Sequence, residues 1–124
     1  MKKRSGYIKK SWGHEVVLLE NKDFKVKWLH INPGKSIHLQ RHEKKDEMIR
    51  VTSGGGIILI ANEINERLIY KVLSKDSTHN IHPGDTHKIW ANMDHDLHII
   101  EISNNIPDTD VIHLEKFAED LNKK

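Results

Sequence analysis

Four side chains in two short blocks of the sequence are of the types that together bind one divalent metal ion. In chain order they are Gln40, His42, Glu47 and His87. The first three lie in one block and the fourth in a second, and a glycine turn opens each block. Imidazole, carboxylate and amide oxygen together suit zinc, iron, manganese or nickel better than calcium, which prefers oxygen ligands alone. Three or four protein ligands with open positions are typical of catalytic metal sites, because closed structural zinc sites usually contain cysteine.

Strand geometry predicts how these residues meet. Side chains on a strand alternate between two faces, so His38, Gln40 and His42 are expected on the same face of a sheet. Glu47 stands at an odd offset from His42, so a turn and a second strand are needed to bring it to the same side. His87 would join the set from a third strand. The sequence therefore predicts a metal site shared by three strands.

Short β-branched runs separated by turn residues predict an antiparallel, all-β fold of the sandwich or small-barrel type. The expected strands cover residues 15–19, 24–31, 36–40, 47–52, 57–62, 67–73, 78–81, 86–91 and 97–103. One short C-terminal helix is expected over residues 114–121, where Leu114, Phe117, Ala118 and Leu121 share a face. The glycines at 54–56 predict a tight hairpin turn, since neither a helix pattern nor a Lys-Ser or Lys-Thr pair follows as in a phosphate loop.

Length and composition narrow the class of protein. The chain has 124 residues, which predicts a single domain over residues 1–124, and its formal net charge is only +2. Charges of both signs alternate, and the basic runs are terminal, so a nucleic acid is not an expected partner. No segment approaches the roughly 20 apolar residues that span a bilayer, so a membrane is not expected either. There is no cysteine, and there are ten histidines. Without a signal-peptide pattern or a long apolar segment, a cytoplasmic location is the default expectation.

The two blocks resemble the two motifs of the cupins, double-stranded β-helix barrels of jelly-roll type that hold a metal in their mouth. In the first motif, a glycine, a first ligand, a histidine, a glutamate and a second glycine follow one another at set spacings. The matching residues are Gly34, Gln40, His42, Glu47 and Gly54, with glutamine where many cupins have histidine. The second motif is matched by Gly84, His87 and Asn92, with one additional residue before Asn92. The resemblance implies a single cupin domain.

Within the cupins, the phrase PGKSIHLQRH is similar to a segment of type II mannose-6-phosphate isomerases, in which Leu-Gln-x-His follows Pro-Gly-Lys-Ser. Further likeness lies at Trp12-Gly13, at Val26-Lys27, and in the segments 97–102 and 108–114. This resemblance implies a metal-dependent isomerase that interconverts an aldose phosphate and a ketose phosphate. One divalent metal ion is the expected cofactor. Zinc is the first choice, and manganese, iron, nickel and cobalt are alternatives.

The implied reaction needs a base that moves a proton between C1 and C2 of the sugar. A histidine suits this task because its pKa lies near neutral pH. His38 is the first candidate because its strand parity matches that of Gln40, and His82 is the second. A hydrogen-bonded wall residue is the alternative role for both. Lys45, which stands where the family commonly has arginine, completes the predicted catalytic set.

Substrate binding is assigned to cationic side chains beside the motif strands. Lys27 and Lys35 are predicted to bind the phosphate, as Lys45 could also do, and His113 stands where the family commonly has a second arginine. His38 replaces a small hydroxyl residue of the family. A lysine lacks the two-pronged hydrogen bonding of arginine, so these replacements leave the identity of the sugar open.

Two other functions are compatible with the same residues. One is a non-catalytic cupin that binds a metal or a sugar, and the other is a different cupin enzyme, such as an iron-dependent oxygenase. Cupins usually pair through strands at the barrel edge, and an exposed edge strand invites such pairing, so the resemblance implies a homodimer with the N-terminal segment as the exchanged or added strand. The expected small-molecule partner is a sugar phosphate.

Overall fold

Eleven strands form two antiparallel sheets in the computed structural model, which describes residues 6–62, 64, 67–107 and 110–113, with the backbone alone for Arg67 and His113. The strands are β1 (Tyr7–Lys10), β2 (Gly13–Glu20), β3 (Phe24–Ile31), β4 (Ser36–His42), β5 (Glu47–Gly54), β6 (Gly56–Asn62), β7 (Arg67–Leu73), β8 (Thr78–Ile81), β9 (Thr86–Ala91), β10 (Leu97–Asn104) and β11 (Val111–His113). The helix predicted over 114–121 lies outside the described residues. Within the described ranges, no helix is long and apolar enough to cross a membrane.

The sheets have the crossed connections of a jelly roll. The six-stranded sheet has the order β1-β2-β3-β10-β5-β8, and the five-stranded sheet has the order β11-β4-β9-β6-β7. Neighbouring strands in the chain, such as β4 and β5, therefore lie in different sheets. This arrangement confirms the predicted all-β, jelly-roll-like fold, and it lets residues at the β4–β5 turn face a strand of the opposite sheet.

The core lies between the sheets and is formed by every second residue of the central strands. Its largest fully buried side chains, each less than 2% exposed, are Ile31, Ile49, Val51, Ile58, Leu73, Ile81, Leu97 and Ile99. Full burial of one such side chain stabilises the fold by about 1.5–3 kcal/mol relative to its exposure. On β10 the same inward face continues from Leu97 and Ile99 to Glu101, which is also buried. A charged side chain on a core-facing position needs partners, and the functional site supplies them.

Two strands, β1 and β11, were not predicted. All four residues of β1 are exposed, so its sequence carries no alternation of apolar and polar residues that could indicate a strand. β11 contains only three residues, too few for any periodic pattern, and it pairs with the end of β4. Both strands form by pairing with a neighbour already in a sheet.

An irregularity in β4 changes which of its side chains face inward. Ile37 pairs with Ile89 of β9, whereas Gln40 pairs with His87, so three steps along β4 match two along β9. One extra residue in a strand reverses the alternation of its side chains. Ile37, His38 and Gln40 all line the interior cavity described below, His38 from an exposed position. His38 and Gln40 thus face one cavity, as predicted, but β4 does not keep the strict alternation from which the prediction was made.

The β5–β6 connection is the tight turn that the glycines predict. Gly54 has φ +81°, and a Cβ atom at this position would overlap the backbone oxygen of Asp96. Only glycine combines this backbone conformation with so close an approach. The turn thereby holds β5, which carries Glu47, firmly against the start of β10.

Candidate functional site

Three buried side chains from three strands meet in the interior. His42 ends β4, Glu47 begins β5 and His87 lies on β9. One ligand atom from each lies within 4.8 Å of the others. The His42 Nε2 to Glu47 Oε1 distance is 3.5 Å, and the His87 Nε2 to Glu47 Oε1 distance is 3.9 Å. The exposed fractions are 9%, 4% and 2%, respectively, so water has little access to these atoms.

Gln40 adds a fourth donor beside this triad. It is the register partner of His87, and its Nε2 lies 3.4 Å from His87 Nε2. The two ends of a side-chain amide have nearly the same shape, so Gln40 can present either its nitrogen or its oxygen to the histidine. Rotation of the amide by half a turn places Oε1, a metal-binding atom, at the same position. All four side chains predicted as ligands are thus together.

The triad fits a divalent cation. Glu47 Oε1 is buried between the two imidazoles, and no described residue offers it a hydrogen bond. A buried carboxyl oxygen without a hydrogen-bond partner is costly, and a cation between the three side chains would remove this cost. Burial, followed by the nearby His42, lowers the pKa of His87 to about 4. Burial, followed by the nearby Lys45, also lowers the pKa of His42, so both rings are neutral and can donate a lone pair.

Metal binding should release a proton from Glu47. Burial and the neighbouring Glu101 raise the pKa of Glu47 well above its usual value, so a bound metal must displace a proton that this carboxyl otherwise retains. The apparent affinity should therefore rise with pH up to the raised pKa and level off above it. Isothermal titration in two buffers of different ionisation enthalpy, repeated at several pH values, should show proton release on metal binding that diminishes as the pH rises.

The matched control for this proton release is Glu47→Gln, which should bind the metal more weakly and release no proton from this position. Equal binding enthalpies in the two buffers for the wild-type protein would contradict the expectation.

A cavity of about 440 Å³ lies between the sheets beside the triad. Gln40 and His42 form part of its wall, so the triad is reached from this cavity. The rest of the wall comes from Ile37 and His38 of β4, from β1, β2, β3, β10 and the β1–β2 turn, and from residues 45, 106, 107 and 111. A volume of this size is within the range of small-molecule sites.

Five charged side chains line the cavity in two connected groups. Lys45 Nζ lies 3.3 Å from Glu101 Oε2, and Lys27 Nζ lies 3.0 Å from Glu15 Oε2. Lys10 Nζ lies 3.8 Å from the other oxygen of Glu15. Burial alone would raise the pKa of Glu101, but Lys45 and Lys27 outweigh it and lower this pKa to about 2. Three lysines against two glutamates leave the wall with a net charge of +1.

Three further predicted residues belong to this cavity. Lys27 and Lys45 are its inner cations, with side chains 12% and 13% exposed. His38 lines the cavity from an exposed position, and its Nε2 lies 3.5 Å from Ser11 Oγ. The structure thus brings His38, Lys27 and Lys45 to one space with the metal-binding set. Their roles stay predictions.

Two predicted residues lie elsewhere. Ile81 at the end of β8 faces the core, so the next side chain, His82, points outward; it is 65% exposed and its Nδ1 lies 3.4 Å from Asp46 Oδ1. His82 lines a second cavity and not the one beside the triad, so the structure does not support it as the base. Lys35 is exposed in the turn before β4 and does not line the cavity either. The backbone of His113 pairs with Gln40, and its side chain lies outside what the structure describes.

Sequence reasoning missed Glu15, Glu101 and Lys10. The sequence did indicate Glu101. It falls on the same strand face as Leu97 and Ile99 in an otherwise apolar strand, and a charged residue at a core-facing position is rare unless it is paired. Glu15 has no such context, because it lies only two residues after Gly13, where β2 begins. Lys10 lies in β1, which was not predicted as a strand.

The sequence matches one family model, described as "Mannose-6-phosphate isomerase C-terminal", over residues 2–116. No curated protein matches the chain. Among solved structures, CapF from Staphylococcus aureus, described as a capsular polysaccharide assembling protein, is 25% identical with a TM-score of 0.80. That alignment covers 88% of this chain and 32% of the CapF chain, so this chain spans about a third of the length of that relative.

Two more distant structures share the fold. A cupin-2 domain from Rhodospirillum rubrum is 14% identical with a TM-score of 0.69, and the alignment covers 87% of this chain and 68% of that one. A protein from Bacillus halodurans is 19% identical with a TM-score of 0.67, covering 86% of this chain and 74% of that one. At these identities the likeness establishes the architecture, a cupin jelly roll, and nothing more.

Proposed function

Because the chain belongs to the mannose-6-phosphate isomerase C-terminal family, we propose that it is a metal-dependent isomerase that interconverts an aldose phosphate and a ketose phosphate. The observation that carries this proposal is the buried His42–Glu47–His87 triad beside a cavity lined by lysines. Mannose 6-phosphate and fructose 6-phosphate are the first pair to test. A cytoplasmic location is part of the proposal.

The charge of the site suits a sugar phosphate. The cavity wall carries a net charge of +1, and a divalent ion held by the Glu47 carboxylate would add one more positive charge. This balance favours a dianionic ligand. Lys10, whose side chain is 39% exposed, is placed to meet the phosphate, while Gln40 and His42 mark the end where the reacting carbons would lie.

The chemistry requires a proton shift within the sugar. In the conversion of aldose to ketose, a base takes the hydrogen of C2 as the C1–C2 double bond forms. The proton then returns to C1 as the C2 carbonyl forms. A second proton moves from O2 to O1, so atoms balance without an oxidant. A bound divalent ion supplies Lewis acidity at the sugar oxygens. We assign the carbon proton to His38, and the hydrogen bonds to O1 and O2 to Lys45.

The assignment of His38 is tested by His38→Gln. Loss of a general base should lower kcat by about 100-fold or more with little change in KM. Steady-state kinetics of the metal-loaded protein measure both constants. Unchanged kcat would contradict the assignment and show that another group is the base.

The reaction itself is tested with metal-loaded protein and mannose 6-phosphate, by following fructose 6-phosphate with a coupled enzyme assay. Turnover should depend on the metal and stop when a chelator removes it. Lys27→Met should raise KM for the sugar phosphate, with Lys22→Met, an exposed lysine outside the cavity, as the matched control. Absence of product from mannose 6-phosphate and from other hexose phosphates, with zinc, manganese, iron, nickel and cobalt each tried, would contradict the proposal.

A second candidate function is favoured by the similarity to CapF, the capsular polysaccharide assembling protein. Under this alternative, the cavity binds a sugar of a polysaccharide precursor without isomerising it. Tight binding of a sugar phosphate with no conversion would support the alternative. Oxygen consumption that depends on iron would instead indicate an oxygenase.

We also propose a homodimer. The strand β1 is an edge of the six-stranded sheet and exposes Ile8, as expected if the N-terminal segment pairs with a second copy. The opposite sheet ends at β7, where Val72 is 74% exposed. Light scattering of Ile8→Lys and Val72→Lys should identify the pairing edge, since only one change should yield a monomer. A monomeric wild-type protein at micromolar concentration would contradict the dimer.

A further inference from the structure

A second group of metal-binding side chains lies on the outer face of the six-stranded sheet. His14, His30 and His98 are register partners across β2, β3 and β10. Directly opposed residues on neighbouring strands have Cβ atoms about 5 Å apart, which brings their rings into contact. The ring centroids of His30 and His98 are 4.4 Å apart, and those of His14 and His30 are 4.8 Å apart.

Asp96 completes this group from the bend before β10. Its Oδ2 lies 2.7 Å from His30 Nε2, and one ligand atom each from His30, Asp96 and His98 lies within 4.8 Å of the others. All three residues are partly buried. Trp28 stacks on His98 with ring centroids 5.5 Å apart and forms an apolar wall beside the group.

We propose that His30, Asp96 and His98 form a second divalent metal site, with zinc as the best-suited ion. Two imidazoles and one carboxylate match a common ligand set for zinc, and nickel and copper also accept imidazole. Ligand atoms around tetrahedral zinc are about 3.3 Å apart, so small side-chain rotations suffice to reach this geometry. A water molecule or His14 can occupy the fourth position.

This outer site is separate from the cavity. On β10 the side chain of His98 points outward, whereas Leu97, Ile99 and Glu101 face the interior. A metal ion here would join β3, β10 and the bend that precedes β10. It would therefore stabilise the strand that carries Glu101 without contacting the substrate. The inference does not depend on the proposed isomerase activity.

The test uses a protein in which the inner site is removed. The variant His42→Ala with His87→Ala is titrated with zinc chloride by calorimetry, and with cobalt chloride by visible absorption, which reports tetrahedral coordination. One equivalent of zinc should still bind. Adding His30→Gln and His98→Gln should abolish this binding, while adding His95→Ala, an exposed histidine in the same bend, should leave it unchanged.

The wild-type background provides a second measurement in case the inner-site variant does not fold. There, His30→Gln with His98→Gln should lower the zinc stoichiometry from two to one and reduce the rise in melting temperature that zinc produces. The proposal is overturned if the folded inner-site variant binds no zinc, or if binding persists without His30 and His98. The group would then be an ion pair within an aromatic stack only.

Discussion

Replacing both His42 and His87 by alanine should abolish isomerase turnover and weaken metal binding at the triad by at least about 1000-fold. Two of the four predicted ligands are lost, and the Glu47 carboxylate and the Gln40 amide that remain bind a divalent ion far more weakly in competition with water. A chelator-competition titration measures the affinity, and the coupled assay measures turnover. The number of tightly bound zinc ions should fall by one, because the proposed site on the outer face is untouched.

The matched control is His79→Gln, another histidine that is 9% exposed but lies in the second cavity. It should retain metal affinity and turnover. Circular dichroism confirms that the double variant is folded. Retention of an ion at the triad, or turnover near the wild-type rate, would show that His42 and His87 are not ligands.

Lys45→Met should destabilise the metal-free protein by about 3 kcal/mol. Its Nζ is 3.3 Å from Glu101 Oε2, and both side chains are largely buried. Removing the lysine leaves the Glu101 carboxylate in the interior with Lys27 as its remaining nearby cation. Urea denaturation at neutral pH measures the change in the free energy of unfolding. The double variant Lys45→Met with Glu101→Met should recover most of the loss, since neither charge is then buried alone.

The pH dependence of this loss has a definite sign. The pKa of Glu101 in the folded protein is about 2, below its unfolded value of about 4.3, so its ion pair stabilises the fold fully above about pH 4.3 and progressively less towards pH 2. The difference between wild type and Lys45→Met should therefore be largest at neutral pH and shrink in acid. Lys44→Met, an exposed neighbour, should change the stability by less than about 0.5 kcal/mol. An equal effect of the two substitutions would contradict the buried pair.

Local sequence patterns were sufficient to predict the central strands and the metal-binding set. Short β-branched runs bounded by turn residues predicted β3, β5, β9 and β10, and the two motif blocks carried Gln40, His42, Glu47 and His87. These ligands meet because the motif turns fix where each strand begins. That information is local, so it can be read from one sequence.

Features that depend on pairing between distant segments could not be predicted. The irregularity in β4 arises from its register with β9. It breaks the regular alternation of side chains on which the prediction for His38 was based. The partner of Lys45 is Glu101 on β10, more than fifty residues away in the chain, so the ion pair that holds this lysine has no local signature. His82 and Lys35 were assigned from nearness to a motif, but each lies in a turn whose direction only the folded chain determines.

The most direct test of the account is proton NMR of mannose 6-phosphate in deuterium oxide with the protein first stripped of metal and then restored with zinc. With metal restored, the signal of the C2 hydrogen should decay and fructose 6-phosphate should accumulate, while the stripped protein and the His42→Ala with His87→Ala variant should leave the sugar unchanged. If zinc is bound at the triad and neither exchange nor conversion occurs with mannose 6-phosphate or other hexose phosphates, the site is not that of a sugar-phosphate isomerase.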